Sequence, residues 1–506
     1  VERGEPLKGT RREFLSAALI GLNAKADPLI GGSFVNESAP IGHRIRDHAA
    51  FPAPSERVKI PLVIVGGGIA GLSAAWRLDK RGFHDFVLLE LENEAGGNAR
   101  SGANEITAYP WAAHYVPVPN RSATLARELF EELGVSKNGV WDERTLCFSP
   151  QERLFLFGRW QEGLEPGFGV PARDRHQFEE FEKHMAEFRH SGEFTIPVEL
   201  GAKPSPLDGF SMAEWMRRQN FDSSFLRWYV NYACRDDYGA TSGDTSAWAG
   251  IHYFTCREYE DKGPLVWPGG NGWITKRLLE KLGRYVHTGS MVHRIEKDGT
   301  RFRVLAARTE YIADAVIFAA PTFLAPYIVE GAAKMSTFEY SPWLVANLTI
   351  EHPPRQGVRD FETAWDNVIY DSPALGYVVA THQSLATHID RSVWTFYWAF
   401  AEGQPAQNRK FLLAKDWGYW KEAILNDLGR AHPDIRSCVS RIDIMRLGHA
   451  MARPLVGAVF SEERRRLRGG TGRLLFANSD LTGFSLFEEA QYHGVKAADR
   501  AMMRLG

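Results

Sequence analysis

The chain has 506 residues, 44% of them hydrophobic and 24% charged, and a formal net charge of -2. This length can bury two or three sizeable cores, the composition is that of an ordinary globular protein, and the near-neutral charge excludes a general pull toward nucleic acid or an anionic membrane. The four cysteines, Cys147, Cys234, Cys256 and Cys438, form no CxxC pair; this argues against zinc or iron–sulfur ligation and for free thiols packed as small hydrophobes, with one disulfide after export left open.

In chain order, the first signal is Thr10-Arg11-Arg12-Glu13-Phe14-Leu15, a twin-arginine signature followed by the apolar stretch Leu15 to Leu22 and by Ala24-Lys25-Ala26, a small-x-small cleavage site. It predicts export to the periplasm of a protein already folded around a cofactor. The alternative is a basic arm retained on a cytoplasmic protein. Residues 27 to 57 are rich in Gly, Pro, Ser and His without periodicity and read as a linker or surface arm. No later segment has the roughly 18 apolar residues needed to span a bilayer.

From Lys59 the pattern sharpens. Leu62-Val63-Ile64-Val65 reads as a buried parallel strand, Gly66-Gly67-Gly68-Ile69-Ala70-Gly71 as a glycine-rich turn, Leu72 to Arg81 as a helix, and Phe86-Val87-Leu88-Leu89 as a second strand ending on Glu90. Gly66 permits the tight turn, Gly68 lets a pyrophosphate approach the backbone, and Gly71 lets the helix pack closely on the strand. The phosphates then meet the amides and positive dipole end of the helix. Glu90, 22 residues after Gly68, is placed to accept hydrogen bonds from ribose hydroxyls.

Further on come Gly96-Gly97-Asn98-Ala99-Arg100, Trp267-Pro268-Gly269-Gly270-Asn271-Gly272, and Ser290 to Ile295 followed by Ala313 to Pro321. Leu475-Phe476-Ala477-Asn478-Ser479-Asp480 then leads into a last helix. In this order these segments resemble the flavin amine oxidase superfamily, and the Gly-Gly-Asn-Ala-Arg and Ala-Asn-Ser-Asp variants are most similar to bacterial spermidine dehydrogenase-like proteins. The resemblance implies an α/β fold: a Rossmann-type FAD-binding domain built from discontinuous segments, with a mixed α+β substrate domain. The expected layout is a signal-like arm over 1–57, FAD domain over 58–150, 263–337 and 446–506, and substrate domain over 151–262 and 338–445. It implies non-covalent FAD held by Gly66, Gly68, Gly71, Glu90, Gly96, Gly97, Asn98, Arg100, Val292, Asp480 and Phe487. Without the family, Asp480 reads as a partner for a ribityl hydroxyl, with capping of the last helix as the competing reading. The run Arg464-Arg465-Arg466-Leu467-Arg468 reads as a solvated loop.

The segments between the cofactor motifs hold the expected substrate side. Trp111, His114 and Tyr115 resemble the family strand that passes the flavin. Asp236, Asp237 and Tyr238 form an acidic-aromatic cluster. His449 precedes the C-terminal motif, and Phe484, Phe487 and Glu488 open the last helix. The expected catalytic residues are His114, Tyr115, His449 and Glu488, and the expected substrate residues are Trp111, Asp237, Tyr238 and Phe484. For each alone, core packing or capping is the competing reading. No metal site is expected.

The resemblance implies oxidation of an amine, polyamine-like, by hydride transfer to flavin N5, with oxygen, a quinone or a cytochrome as acceptor and no nucleic-acid partner. The reacting nitrogen must be neutral, although its ordinary pKa is about 10; an apolar aromatic pocket lowers it. Two departures stand against the family pattern. The stretch Trp343 to Ile350 lacks the lysine that holds a water near N5 in many relatives, and Leu486 stands near the place of the usual cage tyrosine. The alternatives are a desaturase or protoporphyrinogen-oxidase-like enzyme acting on C–C or ring bonds, and a flavin-bearing binding protein without turnover.

Overall fold

A computed structural model describes residues 29–35, 38–258, 263–357 and 360–506; the twin-arginine stretch lies outside them. Two seven-stranded sheets organise the chain. In the first, Val286–His287, Phe86–Leu89, Glu56–Val65, Thr309–Phe318 and Leu474–Phe476 run parallel in that spatial order. The antiparallel strands Arg301–Ala306 and Val292–Asp298 extend it beside the first half of Thr309–Phe318. Three sequence-distant segments therefore build one sheet, and Leu62 to Val65 are buried on both faces, as a continuous β-branched and Leu run requires.

Helices Ile69–Lys80, Gly272–Leu282 and Phe487–Leu505 cover one face of this sheet. The last helix lies so close to Ile69–Lys80 that a Cβ at Gly494 would come 2.2 Å from the Ala70 carbonyl oxygen. Arg77 ties the same two helices through Asp499 at 2.7 Å.

The second sheet runs Val439–Ala452, Tyr340–Ile350, Ser392–Ala399, Gly376–Val379, Asp366–Ile369, Glu152–Leu156 and Arg159–Glu162. All neighbours are antiparallel except Asp366–Ile369 with Glu152–Leu156. Helices Ala172–Ser191, Met212–Arg218, Ser224–Tyr238 and Ala247–Thr255 form a cluster of their own.

Two expectations are corrected here. The linker is in part structured: Gly31, Ser33 and Val35 exchange backbone hydrogen bonds with Ser440, Ile442 and Ile444 at the sheet's edge, and Ala39–Arg46 is a helix. The register lacks a two-residue signature because Gly32, at φ +136°, lies against the Ile442 carbonyl. The arginine run is a helix, Glu462–Gly469, in which Ser461 accepts from the Arg464 amide as its cap and Arg464 itself is fully buried. His449 lies on the long edge strand Val439–Ala452.

Candidate functional site: a nucleotide cradle beneath an acidic-aromatic chamber

The glycine turn behaves as its spacing requires. Gly66 has φ +106°, and a Cβ there would come within 3 Å of the Ala319–Ala320 backbone. A Cβ at Gly71 would come 1.9 Å from the Gly66 carbonyl oxygen, whereas one at Gly68 would meet nothing within 4 Å. Gly68 thus borders open space at the start of Ile69–Lys80, a helix that no side chain caps.

Glu90 is buried, its Oε2 accepting from the Gly67 amide at 2.6 Å and its Oε1 from the Glu92 amide at 2.8 Å. Burial raises its pKa, and these two amides act against the rise. Each carboxylate oxygen keeps a further lone pair for a ligand hydroxyl. Gly97, at φ +56°, faces Gly68, and Arg100 reaches back to the Gly97 carbonyl at 3.1 Å. An open glycine, an uncapped helix terminus and a carboxylate at the second strand's end fit the diphosphate and ribose of a dinucleotide. Val292 begins the strand that follows the turn beside Glu90 and is buried.

Residues 110 to 115 lie where the two domains meet. The Asn347 amide donates to the Pro110 carbonyl at 3.0 Å, the Tyr397 hydroxyl to the Ala112 carbonyl at 2.9 Å, and the Ala113 amide to the Asn98 carbonyl at 2.9 Å. Asn271 holds the other side through the Ala113 and Tyr115 carbonyls. The segment is therefore fixed between the second glycine pair and the second sheet. His114 sits among Tyr397, Tyr115 and Trp365, with ring centroids 4.7, 4.9 and 5.4 Å away. Burial pushes its pKa down to about 4, so the imidazole is neutral at physiological pH.

Beside these rings is a group of carboxyls. Asp366 and Glu152 are register partners on adjacent parallel strands. Burial, then Glu152 and Asp236, drives the Asp366 pKa well above the usual carboxylate range. Asp236 is pushed to about 7 by burial, Asp237 and Glu152, and Asp237 to about 6 by burial against the pull of Arg257. Burial also raises Glu152. Yet Glu152 is exposed to solvent-sized space, and Asp236, Asp237, Asp366, Tyr115, Tyr229 and Tyr253 are partly so. Surface contact together with strong desolvation is what an inward-facing recess gives, and the mutual influence of Asp236, Asp237, Asp366, Tyr115 and Tyr397 groups them around one such recess, a chamber.

Of the residues expected at the site, Asp237, His114 and Tyr115 line this chamber. Tyr238 and Phe484 do not: both are fully buried, pack edge-on at 5.5 Å, and the Tyr238 hydroxyl is spent on the Ala249 carbonyl. Glu488 touches no solvent-sized space and forms a buried ion pair with Arg257, which makes it an anchor of the last helix rather than an exposed acid or base. Trp111 packs edge-on against Tyr109 at 5.5 Å in a small core under the second sheet. His449 stacks on Phe323 at 4.1 Å and is exposed, yet desolvation lowers its pKa to about 3, the combination that Glu152 also shows. Phe487 packs against Phe130 at 5.3 Å.

Asp480 caps no long helix. Its carboxylate accepts from the Thr322 amide at 2.8 Å, the Thr322 hydroxyl at 2.5 Å and the Tyr340 hydroxyl at 2.6 Å. One lone pair remains for a ligand. Glu152, Asp366, Trp365 and Tyr397 escaped the sequence reading. Their only signal was a carboxylate in or beside an apolar strand, and the pairing that unites them joins segments more than 200 residues apart.

A dinucleotide cradle made of discontinuous strands and covered by a second, largely antiparallel sheet defines a two-domain oxidoreductase architecture. The chain belongs to the family of flavin containing amine oxidoreductases, whose model matches residues 69–502. Among solved structures, it is similar to wild-type putrescine oxidase bound to putrescine, at 17% identity and TM-score 0.69 over 88% of this chain and 100% of that one. It is also similar to cyclohexylamine oxidase from Brevibacterium oxydans IH-35A, at 16% identity and TM-score 0.66 over 88% and 99%. A putative protoporphyrinogen oxidase from Exiguobacterium sp. 255-15 matches at 14% identity and TM-score 0.61 over 89% and 100%. Identities this low establish the shared fold alone. A curated relative, the mitochondrial pyruvate dehydrogenase phosphatase regulatory subunit of Mus musculus, is 30% identical over 123 residues, which are 24% of this chain but 13% of that protein.

Proposed function

We propose that the protein is an FAD-dependent oxidoreductase that oxidises a cationic amine, with a di- or polyamine as the favoured substrate. The observation that carries this reading is the enclosed group Glu152, Asp366, Asp236 and Asp237 beside the rings of Tyr115, Trp365 and Tyr397. FAD, when bound, supplies a two-electron acceptor for the substrate's C–H hydrogen.

The chain's own part is binding and desolvation. Gly68, Glu90 and the amides opening Ile69–Lys80 hold the dinucleotide. The aromatic wall around His114 favours the neutral form of the nitrogen that reacts, and neutral His114 adds no opposing charge. A second, distant ammonium is met by the carboxyls. Their raised pKa values mean that the empty chamber is partly protonated at neutral pH, and an entering cation favours the ionised forms. Similarity to putrescine oxidase and cyclohexylamine oxidase agrees with this substrate class.

The lysine-free strand Tyr340–Ile350 supports a quinone, cytochrome or other non-oxygen acceptor. Arg11 and Arg12 support twin-arginine export to the periplasm, which lysine at both positions would block in a fractionation assay.

The test is anaerobic. Spermidine, putrescine and a monoamine of matched length are mixed with the yellow holoprotein. Bleaching of the flavin by the amines, with tighter apparent binding of the polyamines, is the expected result. If every amine leaves the flavin oxidised, oxidation of a C–C or ring bond becomes the better reading.

A further inference from the structure

Arg464, like Glu488 and Glu489 in the C-terminal third of the chain, has no solvent-exposed surface. A charge is almost never fully buried without a compensating one; the Asp480 carboxylate acts on Arg464 through space, but the hydrogen bonds of its guanidinium go to carbonyls. One terminal nitrogen donates to the backbone carbonyl of Asp480, the other to that of Thr337 at 2.9 Å, and the guanidinium lies 4.2 Å from the centre of the Phe338 ring. Its Nε has no partner. An apolar side chain of similar volume would avoid the desolvation cost, so stability alone does not account for an arginine here.

The guanidinium instead has a shape that the surrounding chain follows. Gly483, at φ +95°, passes so close that a Cβ there would lie 3.3 Å from the guanidinium carbon. Asp480, whose carbonyl Arg464 grips, uses its carboxylate to hold Thr322, just past the strand Thr309–Phe318, and Tyr340, the first residue of a central strand in the second sheet. The turn over 480–486 then delivers Phe487–Leu505, a helix that no side chain caps. The direction of that helix's positive end is thus set by a turn whose underside is the guanidinium fork.

We propose that Arg464 is a positioning residue for the cofactor: through the Asp480 carbonyl and Gly483 it fixes the turn that carries the Asp480 carboxylate, whose remaining lone pair is the cofactor contact, and it joins both domains at that point. This inference rests on the FAD reading above. Lysine keeps the charge but cannot grip two carbonyls with one planar fork, and methionine keeps the bulk but neither bond.

The experiment compares wild type, Arg464→Lys, Arg464→Met and Arg500→Met as full chains. Arg500 grips the Arg468 carbonyl from the same last helix without touching the turn, so it reports the stability cost of losing an arginine–carbonyl bond. The readouts are FAD dissociation by fluorescence, the flavin's midpoint potential and thermal melting of the apoprotein. Arg464→Met should weaken FAD binding about tenfold, one charge-assisted hydrogen bond's worth, and shift the potential; Arg464→Lys should fall between it and wild type. Arg500→Met should lower melting and leave both flavin readouts unchanged. If Arg464→Met does not fold, Arg464→Lys decides alone. Arg464 variants that melt earlier but keep wild-type affinity and potential would overturn the proposal. A wild-type chain that takes up no FAD would instead sink the cofactor reading, before any variant is compared.

Discussion

Glu152 and Asp366 are direct register partners on adjacent parallel strands, two carboxyls side by side on the wall of one chamber. Like charges in this position destabilise a sheet. Burial and mutual repulsion hold the protons on: Asp366 is raised well above the carboxylate range, with burial first and Glu152 second among its causes. A pair that opposes folding and faces a chamber is best understood through a cation that enters between its members.

That pairing fixes the pH dependence of the empty protein. Groups whose pKa is raised on folding stabilise fully below their unfolded pKa, near 4, and lose that contribution as pH climbs through the folded value. Asp236 reaches about 7 and Asp237 about 6, so apoprotein stability should decline between about pH 4 and pH 8. Asp366→Asn should raise stability at pH 8 by about 1 kcal/mol and change it little at pH 4. Urea melts at both pH values check this, and saturating spermidine should remove the difference at pH 8 by neutralising the pair.

The glycine turn separates a binding defect from a folding defect. Gly68 has φ -74°, which any residue adopts, and open space where its side chain would be. Gly68→Val should therefore leave the apoprotein's circular dichroism and melting close to wild type while abolishing FAD uptake. Gly71→Val must drive a side chain into the Gly66 carbonyl 1.9 Å away and should yield little folded protein. A Gly68 variant that still binds FAD normally would place the diphosphate elsewhere.

The contrast between the two glycines shows what the sequence could and could not reveal. The cradle was legible because its constraints are local: a strand, a turn, a helix and Glu90 follow one another within about 35 residues, as the dinucleotide unit requires. The discontinuous sheet was legible because each later segment carries its own glycine or strand signal. Tyr238, Phe484 and Glu488 are buried, which their sequence does not reveal, because an aromatic or acidic residue near a cofactor motif looks alike whether it faces the chamber or the core. Only the packing of Ser224–Tyr238 against Ala247–Thr255 turns the Tyr238 hydroxyl to Ala249. Arg464 was missed for the opposite reason: among four neighbouring arginines, nothing local marks the one that points inward.

Substrate affinity should follow the carboxyls rather than a histidine. His114 is neutral above about pH 4 and contributes no titration between pH 5 and 9. Asp236 and Asp237 lose their protons across this interval, so the apparent KM for spermidine should fall as pH rises from 5 to 8, while that of a matched monoamine moves less. Asp237→Asn should weaken spermidine binding roughly ten- to hundredfold and flatten that limb. An unchanged spermidine KM profile in Asp237→Asn, measured by steady-state dye reduction, would remove the carboxyls from substrate recognition.

The acceptor prediction rests on Asn347. It lies on the lysine-free strand Tyr340–Ile350 and reaches the 110–112 segment, but its amide nitrogen donates to the Pro110 carbonyl at 3.0 Å and its oxygen accepts from the Thr395 hydroxyl at 2.7 Å. Both polar atoms are spent on fixing the chain. Asn347 is buried, and no side-chain cation stands on this strand to stabilise negative charge developing on reduced oxygen. Reduced protein should therefore return to the yellow form faster with a quinone or an artificial dye than with dissolved oxygen. Stopped-flow mixing of the substrate-reduced protein with each acceptor at equal concentration measures the two rates. Oxygen matching or exceeding the quinone would reclassify the protein as an oxidase and show that a group other than a strand lysine activates oxygen. Asn347→Asp would then be a discriminating variant: a carboxylate should depress the oxygen rate further if this position faces the reacting oxygen, and leave it unchanged if the oxygen approaches elsewhere.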